Sequence, residues 1–444
     1  MTRGAAAARR ACARATASAC SGFVEEAMGR GQDSRARGAG SPNIEFVGHS
    51  DQGGRSDGVQ VMVHRGYAYI GHTFSNGITI LDVRDPAHPR TVEFIACPPN
   101  TRAVHLQTHE DLLLAVNGPS VWHMQEFQNL QDYFEASPAD KLRQRAGSFA
   151  SGIRVFDISR PERPAEIGFM PVDGIGPHRI WYTGGRYAYA SIHFADFTDH
   201  VLAVVDVSDP GRPEIAGRWW IPGMWRGGAE TPTWRKGRRY ALHHALVAGD
   251  VAYGAWRDGG LTVLDVADPT RPRLLAHRNW DPPFGGGTHS PLPLPDRNLL
   301  VVADEPTTMN CSQGLRYIWM FDVREPGNPV SIATFPSPAE ADFCARGGNF
   351  GPHNLHENRP GSFQSSQLVF ATYYNAGVRV YDIQDPFRPR EVGFYVPADP
   401  ERLIDPRPNR PLVVQSNDCY VDVNGLMYVT DSNGGFNILE FKGP

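Results

Sequence analysis

The sequence predicts an all-β fold, a seven-bladed β-propeller of four-stranded antiparallel blades, on three observations. An Asp-centred strand-and-turn motif recurs along the chain, each recurrence has room for four short strands, and the last one stops a strand short. The motif reads "GITILDVRDPAHPRTVEFI" (77–95), "GIRVFDISRPERPAEIGFM" (152–170), "LAVVDVSDPGRPEIAGRWW" (202–220), "LTVLDVADPTRPRLLAHRN" (261–279), "IWMFDVREPGNPVSIATFP" (318–336) and "VRVYDIQDPFRPREVGFYV" (378–396). The shared aspartates are Asp82, Asp157, Asp206, Asp265, Asp322 and Asp382, with Glu440 of "FNILEFKGP" in the seventh place. Most lie about 50–60 residues apart, a propeller-like period.

Within each unit an alternating, β-branched strand ends at the Asp. The turn that follows has Pro to preset φ and Asp to bond the backbone ahead. A further strand comes after it, and two more precede it, such as "VQVMVHRG" and "YAYIGH" in the first unit or "HRIWYTGG" and "RYAYASIH" in the third. Such a sheet buries both faces only when stacked radially on others. The seventh unit lacks its fourth strand, and "PNIEFVGHSD" (42–51) resembles the fourth strand of the sixth unit. The N-terminal strand is therefore expected to complete the last blade and close the ring, removing the sheet edge.

The repeated "ILDVRDP", "VFDIS", "VVDVSDP" and "VLDVADP" resemble the LVIVD-repeat β-propeller family over nearly the whole of 42–444. The resemblance implies the fold. It implies little about chemistry, because the motif builds the blade.

Bulk properties narrow the function. The net charge of −5 offers no basic footprint for nucleic acid, and no apolar run reaches the length of a membrane span. Six cysteines without a C-x-x-C pair are read as reduced, in a cytoplasmic protein. Residues 1–41 form an Ala/Arg-rich leader, expected to be disordered, without the apolar core of a secretory signal.

Histidines recur where innermost strands begin: "AVHLQTHED", "GPHRI", "LHHAL", "GTHSP" and "GPHNLHEN". Aligned by blade, the first offers Gln60, the next five His105, His178, His244 (beside His243), His289 and His353, and the last Asn417, Asp418 or Cys419. Strand alternation lets one of His243 and His244 face the channel, and the His-x-apolar spacing favours His244. Converging neutral imidazoles suit a transition metal. The expected ligands of one such ion (Fe, Mn, Cu or Zn) are His178, His244, His289 and His353, with His105 less secure.

Loops on the same face supply His72, His193, Arg257, Asp304, Glu305, Tyr373, Tyr374 and Asp431, and Glu357 lies near His353. Of these, Asp304, Glu305, Tyr374 and His193 are the candidates for moving protons or supporting a metal. A partly helical insertion at 123–150, with Ser137 as N-cap and Pro138 at the first helical position, is expected to overhang the channel as a lid. No phosphate loop, dinucleotide fingerprint or nucleophile elbow is present. The function expected is a metal-dependent enzyme acting on a small organic substrate, oxidoreductase or dioxygenase first, with metal-assisted lyase, isomerase or hydrolase chemistry next. The alternative is a non-catalytic propeller that binds a protein or glycan through its rim.

Overall fold

The computed structural model describes residues 38–121 and 149–444. The leader through residue 37, and the expected lid apart from residues 149 and 150, lie outside the described residues. Strands carry the fold, in antiparallel four-stranded meanders. The first runs Gly58–His64, Tyr67–His72, Gly77–Asp82 and Arg90–Ala96, each strand paired with the next. The same order repeats from Gly176–Trp181 to Glu214–Trp219. Tyr240–Ala248 through Arg273–Arg278 and Thr288–Leu294 through Val330–Thr334 form two more, joined by the single pair Arg257–Thr288. Among the described residues, no helix is long and apolar enough to cross a membrane.

The recurrent aspartates act as the sequence implies. Asp82, Asp157, Asp206, Asp265, Asp322 and Asp382 each accept the backbone N–H two residues ahead, at 2.8–3.1 Å. Each thereby turns the chain from third strand to fourth. The apolar alternation is buried between sheets, with Ile78, Ile80, Val155, Val204, Val263 and Val380 fully covered.

Both chain ends are paired. Ile44–Ser50 runs antiparallel to Gly435–Phe441, with Ile44 opposite Phe441 and Ser50 opposite Phe436. First strands touch their neighbours in chain order, Gly58–His64 against Leu106–His109 and Ser416–Val421 against Gly58–His64.

Three expectations need correction. The leader does not extend to residue 41, because Ala39 and Gly40 pair with Val396 and Tyr395 and Gly38 N–H donates to the Tyr395 hydroxyl at 2.8 Å. The sixth unit lacks a regular first strand. Residues 353–358 are held by the bridge Leu355–Ala371 and by the Thr372 N–H bond to the Asn354 carbonyl. Nor are all the cysteines reduced, since Cys311 and Cys344 form a disulfide between two loops.

Candidate metal centre

First strands begin with a break in register. Pairing skips from Pro177 to Arg179, from Tyr240 to His244, from Thr288 to Ser290 and from Ser416 to Asp418. The residues left out of the ladder include His178, His243, His289 and Asn417. A bulged residue is unpaired and re-aimed, so these side chains escape the alternation around them. The ladder resumes one level deeper, at Arg179, His244, Ser290 and Asp418. His105 belongs to that deeper level, since its carbonyl accepts the Val116 N–H just before Leu106 pairs with Ala115.

The upper level is a run of four imidazoles. His178 Nε2 lies 2.9 Å from His243 Nε2. The rings of His243 and His289 stack with centroids 3.5 Å apart, and His353 follows 4.4 Å from His289. Of the expected ligands, His178, His289 and His353 therefore come together and His244 does not. His243 takes its place, because the bulge leaves it out of the ladder that His244 rejoins opposite Ala255.

Hydrogen bonds set the tautomers. His243 Nδ1 donates to the His289 carbonyl at 3.0 Å, and His353 Nδ1 to the Asn417 carbonyl at 2.6 Å. His289 Nδ1 lies 2.7 Å from the Ser290 hydroxyl, which is also 3.3 Å from the His353 carbonyl and from Asn354 Oδ1. The neutral rings of His243 and His353 thus carry a bare Nε2, and that of His243 accepts from His178 Nε2. Burial holds His178, His243 and His289 well below the usual histidine range and brings His353 down to about 4, so the lone pairs are present at neutral pH. Anchoring of Nδ1–H by an acceptor is the arrangement that orients metal-bound histidines.

Glu305 completes the group. Its Oε2 lies 3.4 Å from His289 Nε2 and its Oε1 3.6 Å from His353 Nε2. Arg257 donates to Oε2, and the Tyr374 hydroxyl donates to Oε1 at 2.6 Å. Burial opposes its charge, but Arg257, His353 and Tyr374 outweigh burial and hold the carboxyl at about 2. Arg257 and Tyr374 both occupy left-handed backbone, φ 48° and 49°. That strain, of order 1 kcal/mol or more for each, falls on the two residues that hold Glu305.

A bare imidazole nitrogen facing a carboxylate oxygen is repulsive unless a cation or a proton lies between them. His289 Nε2 is buried without a hydrogen-bond partner. Metal–nitrogen bonds of about 2.1 Å meeting at 90–110° place neighbouring donors roughly 3.0–3.4 Å apart. The donor atoms of His243, His289 and Glu305 lie within 4.8 Å of one another, so these three could hold a small cation, with His178 beside His243 and His353 beside Glu305.

Two other candidates lie elsewhere. Asp304 is one residue from Glu305 and points the opposite way, accepting from the indoles of Trp280 at 2.8 Å and Trp319 at 2.7 Å. Burial raises its carboxyl to about 7, against the pull of those indoles. His193 Nδ1 accepts the Ile175 N–H at 2.9 Å and shapes the chain leading to His178. Its ring lies beside His200, whose centroid is 5.8 Å away and 5.9 Å from that of His178.

The deeper level holds blades together. His105 Nδ1 accepts the Ile180 N–H at 3.3 Å, so its neutral ring carries hydrogen on Nε2. That nitrogen is a donor rather than a ligand, although His105, His244 and Glu357 cluster. Gln60 Oε1 accepts the Leu106 N–H at 2.6 Å, and Asp418 Oδ2 the Val61 N–H at 3.1 Å. Each of these side chains grips the backbone of the next first strand.

A cavity of about 140 Å³ opens beside the upper level, lined by Arg102, His178, His200, Arg239, His243 and Arg257 among others. A second, of about 390 Å³, reaches Glu305 and Tyr374 from the other side. Arg102, Arg239 and Ser290 have no signature in the repeat motif and escape a sequence reading.

Residues 54–95, 182–219 and 245–277 match the LVIVD repeat. No curated protein matches the chain. Among solved structures, the Cps50 (Swd1) β-propeller domain of Myceliophteria thermophila is similar at 10% identity and TM-score 0.53, over 86% of this chain and 96% of that one. A protein from Lactobacillus plantarum is similar at 11% identity and TM-score 0.51, over 87% and 90% of the two chains. These likenesses show the β-propeller architecture.

Proposed function

We propose, from the premise that this chain is an LVIVD-repeat protein, that it is a metal-dependent enzyme acting on a small organic substrate at the upper histidine level. Its meanders are read as seven blades, the last completed by Ile44–Ser50, in a closed ring that brings those histidines to one axis. One transition-metal ion is held by His243, His289 and Glu305, with His178 and His353 at its edge. The observation that carries the reading is the buried group of His243, His289 and Glu305, whose donor atoms lie within 4.8 Å of one another, with His243 Nδ1 tied to a carbonyl.

When bound, such an ion supplies Lewis-acid or redox chemistry. Imidazoles with one carboxylate and an open side suit Fe, Mn, Cu or Zn. Such mixed sets are the habit of oxygenase-type iron sites, which places oxidoreductase or dioxygenase chemistry ahead of lyase, isomerase or hydrolase chemistry. Arg257 and Tyr374 keep Glu305 ionised and aimed. The cavity beside His178 and His243 admits the substrate.

Elemental analysis of the full chain, as purified and after chelation and reloading with Fe, Mn, Cu or Zn, tests the reading. One equivalent is expected in the wild type, with uptake lost in His289→Ala and in Glu305→Gln. A wild-type chain that takes up none of the four metals overturns it and leaves the non-catalytic propeller.

A further inference from the structure

We infer that the cavity beside the histidines is a carboxylate-binding subsite with Arg102 as its anchor, so that the substrate is a small organic acid. The inference rests on the enzyme reading above for its purpose, and on independent residues for its chemistry.

Three guanidinium groups line the cavity, those of Arg102, Arg239 and Arg257. Two are committed. Arg239 binds Asp199 through Nε at 2.7 Å and Nη2 at 3.2 Å. Arg257 binds Glu305. Arg102 has no hydrogen-bond or ion-pair partner among the described residues. Three cations against two carboxylates leave one positive charge in excess, and it sits on the free fork.

A partly buried guanidinium without a counter-ion is costly. Burial, with the charge of Arg407 adding to it, lowers the Arg102 guanidinium to about 10. An anion in the cavity relieves that cost. Arg102 reaches this place because Thr101 and Arg102 pair with Pro119 and Gly118 at the end of a second strand, on the same side as the bulged histidines.

The planar fork matches a carboxylate through two parallel N–H···O bonds. One surplus charge calls for a monoanion, which favours a carboxylate over phosphate. A volume of about 140 Å³ suits a compact acid. The acid's far end then lies against His178 and His243, which share the lining.

The test is calorimetric titration of the full chain with acetate and pyruvate, with acetamide as the uncharged isostere and inorganic phosphate as the rival anion. Metal-loaded and chelated protein are run in parallel. Both carboxylates are expected to bind at least tenfold more tightly than acetamide. Arg102→Gln is expected to remove that margin, and Arg102→Lys to restore part of it, with metal content and thermal midpoint unchanged in both. Equal affinity for acetamide, or no loss in Arg102→Gln, overturns the inference. Phosphate binding more tightly than either acid overturns the carboxylate assignment. Absence of metal with an intact Arg102 effect sinks the enzyme reading alone, and metal present with an indifferent Arg102→Gln sinks this inference alone.

Discussion

At the scale of single residues, the candidate centre depends on which nitrogen of each imidazole carries the proton. For His289 it turns on Ser290, whose hydroxyl lies 2.7 Å from Nδ1 and 3.3 Å from the His353 carbonyl and Asn354 Oδ1. Without the hydroxyl, His289 is free to place its proton on Nε2, where it meets Glu305 and blocks coordination. Ser290→Ala is therefore expected to weaken metal uptake roughly 10–100-fold, the usual effect of losing a partner behind a ligand. Competition with a chelator of known affinity measures the change, and urea unfolding checks that the fold is intact. Unchanged affinity would show that the Ser290 bond does not set the His289 tautomer. Asp304 and Glu305 show the same sensitivity to direction. Both are acids in one loop, yet one serves two indoles and the other the imidazoles.

At the scale of elements, the device that builds the centre is the bulge at the head of a first strand. It recurs at His178, His243, His289 and Asn417, and each time it leaves one residue out of the ladder. Behind it, two loops are stapled by the Cys311–Cys344 disulfide. The Asn310 N–H bond to the Gly348 carbonyl at 2.9 Å and the Asn349 side-chain bond to the Pro306 carbonyl at 3.3 Å add to the staple. One loop begins at Glu305 and the other leads to His353. With a sequence separation of 33 between the cysteines, the chain-entropy account gives about 3–4 kcal/mol of stabilisation. A Cys311→Ser, Cys344→Ser double variant is expected to lose an amount of that order in urea unfolding. Reductant should move the wild type to the same midpoint, and a wild type indifferent to reductant would contradict this.

These elements also mark what the sequence makes legible. The Asp-Pro turns announce the meanders because each Asp bonds its own backbone two residues on, a local interaction. His178, His289 and His353 are legible for a related reason, since Gly-Pro or Gly-Thr precedes each at the same place in its unit. Alternation favours His244 over His243 because it assumes an unbroken ladder, and a bulge is a property of two strands together. Arg102, Arg239 and Ser290 stay hidden because their meaning comes from neighbours distant in sequence.

At the scale of the whole molecule, cohesion comes from contacts that pass from one sheet to the next. Asp418 grips Val61, Gln60 grips Leu106 and His105 grips Ile180, three successive handovers that cross the junction between the chain's two ends. The same junction is clasped from outside. Ile44–Ser50 covers the edge of Gly435–Phe441, and Asn43 donates to the carbonyls of Val392 and Gly443, both at 2.8 Å. An uncovered Gly435–Phe441 would present a row of unpaired backbone groups, a template for pairing with another copy. A chain starting at residue 51 is therefore expected to lose cooperative unfolding and to elute as larger species in size-exclusion chromatography, where one starting at residue 38 stays monodisperse. Asn43→Ala, which removes two hydrogen bonds and leaves the strand in place, should cost about 1–2 kcal/mol. An unchanged midpoint and elution volume after deletion through Ser50 would mean that the sheets hold together without the clasp. The histidine level would then owe its geometry to the inner contacts of Asp418, Gln60 and His105 alone.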